Sequence, residues 1–256
     1  MIKELKNVEE LGRILYKTKS NRYPYYIEHK TRYVRLLQLI KNYHPSGKIL
    51  DVGSFPFHLL YLLKKEGYEA YGTDFDVGSE KGNKEFIQTN KLTVKKCNIM
   101  KDRFPFKDSS FECVLFSEVI EHLANPVNCL FEINRVMKKG GTLILTTPNL
   151  YAVGKILKFL GGYGVTEKDL FGNFIQEFTH GYPGHIKEYS PYGINHLLTN
   201  SGFRIRKIHF EYYQFKKENR IVIPFYILFP FLRSYQVVIA EKVRDVDTKI
   251  IRNKKW

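Results

Sequence analysis

Residues 48–57, Lys48-Ile49-Leu50-Asp51-Val52-Gly53-Ser54-Phe55-Pro56-Phe57, pass from an apolar run through a glycine turn into Leu59-Leu60-Tyr61-Leu62-Leu63. A short apolar run is how a buried parallel strand reads. A strand that turns at once into a helix is the first unit of a doubly wound α/β sheet. In such sheets a ligand sits beyond the carboxyl ends of the strands. Gly53 allows a close approach there, because it lacks a Cβ. Asp51 ends the strand at the same crevice. The turn has too few glycines for a G-x-G-x-x-G dinucleotide loop. Taken alone, the stretch equally describes a buried βα unit without a ligand.

The unit then repeats. Gly67 follows Lys64-Lys65 as a helix stop. A second strand is expected over Tyr68–Thr73, ending in Asp74. An acidic residue about 20 positions beyond the glycine turn suits a ribose diol; Asp76 competes for the role. A helix over about Gly78–Thr89, a strand over Leu92–Cys97 closed by Asn98-Ile99, and a strand over Phe111–Ser117 follow. A further helix runs to Met137-Lys138-Lys139, stopped by Gly140-Gly141, and Thr142–Thr147 is the fifth strand. Alternating strands and helices specify a parallel sheet with helices on both faces.

Around this block the reading is coarser. Residues 1–45 form an N-terminal helical segment, in which Asn21-Arg22-Tyr23-Pro24-Tyr25-Tyr26 is read as a linking loop or a lid. Residues 46–242 form the main domain. Within it, about 151–190 is a capping insertion over the site mouth, containing His180. Ser190-Pro191 opens a helix ended at Gly202. Phe203–Phe210 and Tyr235–Lys242 are two final strands, making seven. Ile221–Leu232 is apolar but too short to span a bilayer. It is a buried crossover, an oligomer face or an interfacial membrane contact. Residues 243–256 form a charged tail.

The formal net charge is +15. That suits an anionic partner, whether nucleic acid, a phosphorylated acceptor or an acidic membrane surface, and it equally describes a lysine-rich solvated surface. Cys97, Cys113 and Cys129 lack metal or disulfide spacing, and the chain opens without a signal-peptide pattern. Both suit a cytoplasmic protein.

Five segments carry a resemblance: Ile-Leu-Asp-Val-Gly at 49–53, Tyr-Gly-Thr-Asp at 71–74, Phe-Pro-Phe-Lys-Asp-Ser-Ser-Phe-Glu at 104–112, Glu-Val-Ile-Glu-His-Leu at 118–123 and Gly-Gly-Thr-Leu-Ile-Leu-Thr-Thr-Pro-Asn at 140–149. In this order they resemble class I S-adenosylmethionine-dependent methyltransferases over about 48–150. His185–Ser190 and Asn200–Phe203 extend the likeness to about residue 210. The resemblance implies a Rossmann-like α/β fold with N-terminal helices and a capping insertion. It also implies S-adenosyl-L-methionine as cofactor. Asp51, Gly53 and Ser54 would lie at its methionine part, Asp74 at the ribose, Asn98 and Ile99 at the adenine, and Ser117 under the sulfonium. The departure is at Phe55 and Phe57, where such chains usually carry glycine.

Glu118, Glu121 and His122 have the spacing of one helix face just past the fourth strand. Two carboxylates and an imidazole can hold a divalent cation such as Mg²⁺, with His185 as a fourth ligand from the cap. The pattern looks like that of ubiquinone-biosynthesis O-methyltransferases and of small-RNA 3′-end ribose methyltransferases. The same residues also describe a plain helix start, whose carboxylates offset the dipole. His122 and Glu121 are the catalytic candidates. The expected activity is O-methylation of a small-molecule, glycan or lipid-linked hydroxyl. An RNA ribose 2′-O-methyltransferase and a non-catalytic cofactor-binding relative are the alternatives.

Overall fold

The structure is a computed structural model that describes residues 2–18, 20, 22–44, 46–75, 77, 81–162, 184–212 and 223–246. Helices α1 (Ile2–Lys17) and α2 (Tyr23–Tyr43) precede the first strand. Then come β1 (Lys48–Val52), α3 (His58–Glu66), β2 (Glu69–Asp74), α4 (Lys81–Thr89), β3 (Thr93–Lys96) and β4 (Phe111–Ser117). A 3-10 turn at Ile120–His122 leads to α5 (Val127–Val136), β5 (Met137–Pro148) and α6 (Val153–Leu160). The chain closes with α7 (Pro191–Asn200), β6 (Phe203–Glu211), α8 (Ile223–Leu228), a 3-10 turn at Pro230–Leu232 and β7 (Tyr235–Lys242).

The sheet has seven strands in the order β3-β2-β1-β4-β5-β7-β6. Strands β1 to β5 are parallel, and β7 runs antiparallel between β5 and β6. The strand order reverses between β1 and β4, so a crevice opens there beyond the carboxyl ends. The apolar runs explain the arrangement: Ile49, Leu50 and Val52 of β1 and Cys113 to Phe116 of β4 are buried, as strands covered on both faces must be. The helical layers are filled by two side-chain clusters. One joins Val8, Leu11, Leu15, Leu36, Leu37 and Ile40 of α1 and α2 to Ile49 and the α3 leucines. The other lies on the opposite face around Leu50, Phe116, Ile133 and Leu198. The three cysteines are free and buried.

Several expected boundaries move. Tyr23–Tyr26 is the first turn of α2 rather than a loop, because Pro24 falls where a helix needs no N–H; Asn21 lies outside the described residues. Helix α5 ends at Val136, and Met137 is already extended and paired with Phe111. Gly140-Gly141 therefore does not stop a helix. It forms an irregularity within β5, where Gly140 has φ +78 and a Cβ on Gly141 would meet Lys138 O at 2.8 Å. Buried Lys242 donates from Nζ to Asn134 O (2.6 Å) and Met137 O (2.8 Å), satisfying carbonyls at that helix end. Of the capping insertion, residues 163–183 lie outside the described residues, so His180 is not placed; residues 153–160 are a regular helix. Ser190 caps α7, accepting from Gly193 N at 3.1 Å, as its sequence indicates. Of Ile221–Leu232, residues 221 and 222 lie outside the described residues; the rest is not a buried crossover, since Ile227 and Leu228 are about 70% and 71% exposed. No helix among the described residues is long and apolar enough to cross a membrane.

Candidate active site

The turn after β1 is held to the neighbouring strand, since Gly53 N and Ser54 N both donate to Thr73 O (2.9 and 3.1 Å). Gly53 has φ +74, and a Cβ there would lie 2.5 Å from Val119 Cγ2. Glycine is thus required both for conformation and for the close approach of the β4 loop. The Phe55 amide donates to Asp74 Oδ2 at 3.0 Å, tying the turn to the tip of β2. That tip is tied to the next by Cys97 N donating to Asp74 O. Gly53, Asp74, Asn98 and Ser117 therefore follow the neighbouring tips of β1, β2, β3 and β4, as the sequence led us to expect.

Their local roles differ. Asn98 organises its own turn: its carbonyl accepts from Lys101 N and Asp102 N, and its side chain accepts from Met100 N. Ile99 packs on the core of one sheet face. The Ser117 hydroxyl meets Thr146 Oγ1 at 2.8 Å. Phe75, directly after Asp74, is 64% exposed with the Lys96 ammonium 5.6 Å from its ring centroid. The spacing argument passed over this ring at the tip of β2. Asp76 lies outside the described residues.

Four observations bear on whether an adenosyl sulfonium fits. Ser54 Oγ is buried without a hydrogen-bond partner, aimed at the space beside Gly72. Asp74 ends β2 at the same crevice, and a carboxylate can accept from a diol as well as from the Phe55 amide. Phe57 does not fill the crevice; its ring is buried in the core cluster beside Tyr33 and Leu60. Phe55 sits at the loop surface, with the Arg22 guanidinium 4.4 Å over its ring. The residues present fit the cofactor.

Asp51 is fully buried, and burial, with the nearby Asp74 charge, pushes its carboxyl from 3.8 up to about 7. A carboxyl whose folded value is raised binds its proton more tightly folded than unfolded. Its contribution to stability is therefore intact below about pH 4 and is lost progressively up to about pH 7. The gap corresponds to roughly 4 kcal/mol. Asp51→Asn is expected to flatten this slope and to raise the melting temperature at pH 8, read by thermal denaturation from pH 4 to 8. An unchanged slope would assign it to other groups.

Past β4 the expected helix face is absent. Glu118 has φ +55 and only Ile120–His122 form a turn, so Glu118 and Glu121 do not share a helix face. Glu118 accepts from Thr146 Oγ1 (2.7 Å) and faces Arg32 of α2, whose Nη1 lies 3.5 Å from Oε2. Arg32 in turn donates to the Tyr25 hydroxyl at 3.0 Å. Nothing in the sequence announces that partnership. Glu121 is fully buried; Oε2 accepts from Thr147 Oγ1 at 2.9 Å while Oε1 has no hydrogen-bond partner. Burial, reinforced by the Glu118 charge, pushes its carboxyl well above the usual range. Consecutive Thr146 and Thr147 on a buried strand were the missed signal, because buried hydroxyls need partners.

The segment before α7 closes the far side. Ile186 N and Lys187 N donate to Glu121 O, and Gly184 O lies 3.0 Å from His122 Nδ1. A carbonyl can only accept, so Nδ1 carries the hydrogen and the neutral ring keeps its lone pair on Nε2. The rings of His122 and His185 are 4.9 Å apart, centroid to centroid. Ligand atoms of Glu121, His122 and His185 all lie within 4.8 Å of one another. Glu118 falls outside this group, so the expected four-residue set contracts to three. His185 Nδ1 approaches Glu188, which also pairs with Lys155. A cavity of about 590 Å³ lies elsewhere, between α1 and α2.

Residues 50–145 match the family model described as a methyltransferase domain. A sarcosine/dimethylglycine N-methyltransferase of Aphanothece halophytica is 25% identical over 118 residues, 44% of this chain and 42% of that protein. An uncharacterized protein of Methanocaldococcus jannaschii is 30% identical over 135 residues, 51% of this chain and 49% of its own. The chain spans about half the length of the curated relatives it matches. A S-adenosylmethionine-dependent methyltransferase from Archaeoglobus fulgidus superposes with a TM-score of 0.57 at 21% identity, covering 86% of this chain and all of that one. The fold is thus the Rossmann-like fold of these methyltransferase structures, and residues 50–145 are the part of the chain that resembles a methyltransferase domain.

Proposed function

We propose that this chain is an S-adenosylmethionine-dependent methyltransferase whose acceptor is a hydroxyl. The observation that carries the reading is the row of strand tips at Gly53, Asp74, Asn98 and Ser117, with a tautomer-fixed imidazole, His122, beyond its end. Asp51, Gly53 and Ser54 would hold the methionine part of the cofactor, Asp74 the ribose, Ile99 and Phe75 the adenine. The cofactor supplies a methyl group on a sulfonium, transferred by in-line displacement. The chain's own tasks are alignment and proton removal. Gly184 O fixes the His122 ring, so Nε2 can take the acceptor's proton. Ile186 and Lys187, whose N–H groups donate to Glu121 O, hold the segment that carries His185 against the His122 turn. A hydroxyl needs that base most, since a neutral amine is already nucleophilic.

The test is calorimetric titration with S-adenosylmethionine, followed by release of S-adenosylhomocysteine with panels of hydroxyl and amine acceptors. Saturable binding and turnover on hydroxyls are expected; His122→Ala should slow turnover by about 10²- to 10⁴-fold with cofactor affinity unchanged. No heat at millimolar cofactor would remove the enzyme reading. Turnover on amines alone would remove the hydroxyl.

The orphaned Glu121 Oε1 favours a second element, a divalent cation held by Glu121, His122 and His185. Such an ion would occupy the Nε2 lone pair of His122 and would activate the hydroxyl in place of that base, by lowering the pKa of the bound hydroxyl. It would also satisfy a buried oxygen that otherwise costs about 1–3 kcal/mol. Equilibrium dialysis should show one Mg²⁺ or Mn²⁺ retained by the parent and lost in Glu121→Gln. Equal retention by both would disprove the site.

A further inference from the structure

Two apolar segments stand exposed at one end of the sheet. Helix α6 leaves the carboxyl end of β5, and residues 223–232 run into the start of β7, which pairs with β5 antiparallel. The Asn149 amide, between β5 and α6, holds the second segment at this end, donating from Nδ2 to Phe231 O and Arg233 O, both at 2.8 Å. This is the end at which the strand tips of the candidate active site lie. Leu157, Phe159 and Leu160 of α6 are 53%, 64% and 75% exposed; Ile227, Leu228 and Phe231 are 70%, 71% and 48% exposed. A short helix apolar on most sides is ordinarily buried in a core or in lipid. Exposed apolar side chains grouped at one end of a sheet mark a binding face.

We infer that these two segments dock the protein on an anionic lipid bilayer, with the candidate active site facing the membrane. Charge selects the occupant. Residues 153–160 carry no acidic residue, and of their two lysines Lys155 is paired with Glu188 while Lys158 adds positive charge; residues 223–232 carry no charge, and the chain as a whole is +15. A second copy would bring like charge against like charge, whereas an acidic leaflet attracts it. The apolar side chains then enter the headgroup boundary, as interfacial helices do, and neither segment is long enough to cross. Resting on the methyltransferase reading, this orientation makes the acceptor a hydroxyl presented at the bilayer surface.

The test is co-sedimentation with phosphatidylcholine vesicles with and without phosphatidylglycerol, with S-adenosylmethionine titration run on the same variants. The parent is expected to sediment with the anionic vesicles at low salt and poorly with neutral ones. Leu157→Glu/Leu160→Glu and Ile227→Glu/Leu228→Glu should each weaken binding about tenfold or more while cofactor affinity stays unchanged. That second readout separates a failed surface from a failed enzyme. Absence of vesicle binding overturns the inference. So does binding that the four apolar substitutions leave intact, since charge alone would then explain it. A parent dimer that the glutamates convert to monomer, or a large loss of melting temperature in the variants without loss of vesicle binding, also overturns it: the faces would then be covered by a second copy or by the chain itself.

Discussion

Asp74→Ala is expected to weaken S-adenosylmethionine binding by about two orders of magnitude, because hydrogen bonds to a charged acceptor contribute about 1.5–3 kcal/mol each and a ribose diol donates two. The carboxylate also acts on the protein itself. Oδ2 accepts from Phe55 N at 3.0 Å, so its removal releases the turn that carries Gly53 and Ser54. Asp74→Asn retains one oxygen acceptor and can still hold the amide, so it should lose affinity less steeply, by about tenfold. The pair of variants therefore separates diol recognition from turn anchoring. Titration calorimetry gives the affinities, and thermal denaturation without cofactor shows that both variants fold. Parent-like affinity in Asp74→Ala would remove the ribose assignment, and with it the alignment of the strand tips on which the proposed activity rests.

What could be read beforehand follows from the range of the interactions. The parallel sheet was legible because each strand is specified locally: Ile49-Leu50-Asp51-Val52 and Cys113-Val114-Leu115-Phe116 bury both faces wherever they sit. Gly53 and Asp74 were legible because turn chemistry and strand length fix their spacing. The region past Ser117 was not. Helical spacing placed Glu118, Glu121 and His122 on one face, but tertiary partners override it. Arg32, 86 positions away in the chain, and Thr146 draw Glu118 one way, while Thr147 draws Glu121 another. The backbone meets both demands by placing Glu118 at φ +55. Boundaries failed for a related reason. Gly140-Gly141 reads as a helix stop, and only its pairing with the strand beginning at Phe111 shows it to be an irregularity inside a strand. Ile221–Leu232 failed differently: apolar composition says that a segment avoids water, not which apolar medium it meets.

Phe57 tests how this turn accommodates a bulky residue where the resemblance implied glycine. Its backbone has φ +68, in the left-handed region, and its ring is fully buried. The two facts oppose each other. Left-handed backbone costs a residue with a Cβ about 1–2 kcal/mol, whereas burying the ring contributes more, since truncating a buried phenylalanine to alanine costs about 3–5 kcal/mol. Burial wins, and the turn is held because the ring anchors it in the core that α2 and α3 share. Phe57→Ala removes the anchor and keeps the strain. Phe57→Gly removes both. Glycine is therefore expected to be more stable than alanine at this position by about 1 kcal/mol, the reverse of their order in ordinary backbone. Urea unfolding of the three proteins reads the order directly. Alanine equal to or more stable than glycine would show that the turn relaxes out of the left-handed region once the ring is gone. The same order should appear in cofactor affinity, with Phe57→Gly nearer the parent than Phe57→Ala, because the backbone that carries Gly53 and Ser54 keeps its course only where the residue at 57 accepts a positive φ.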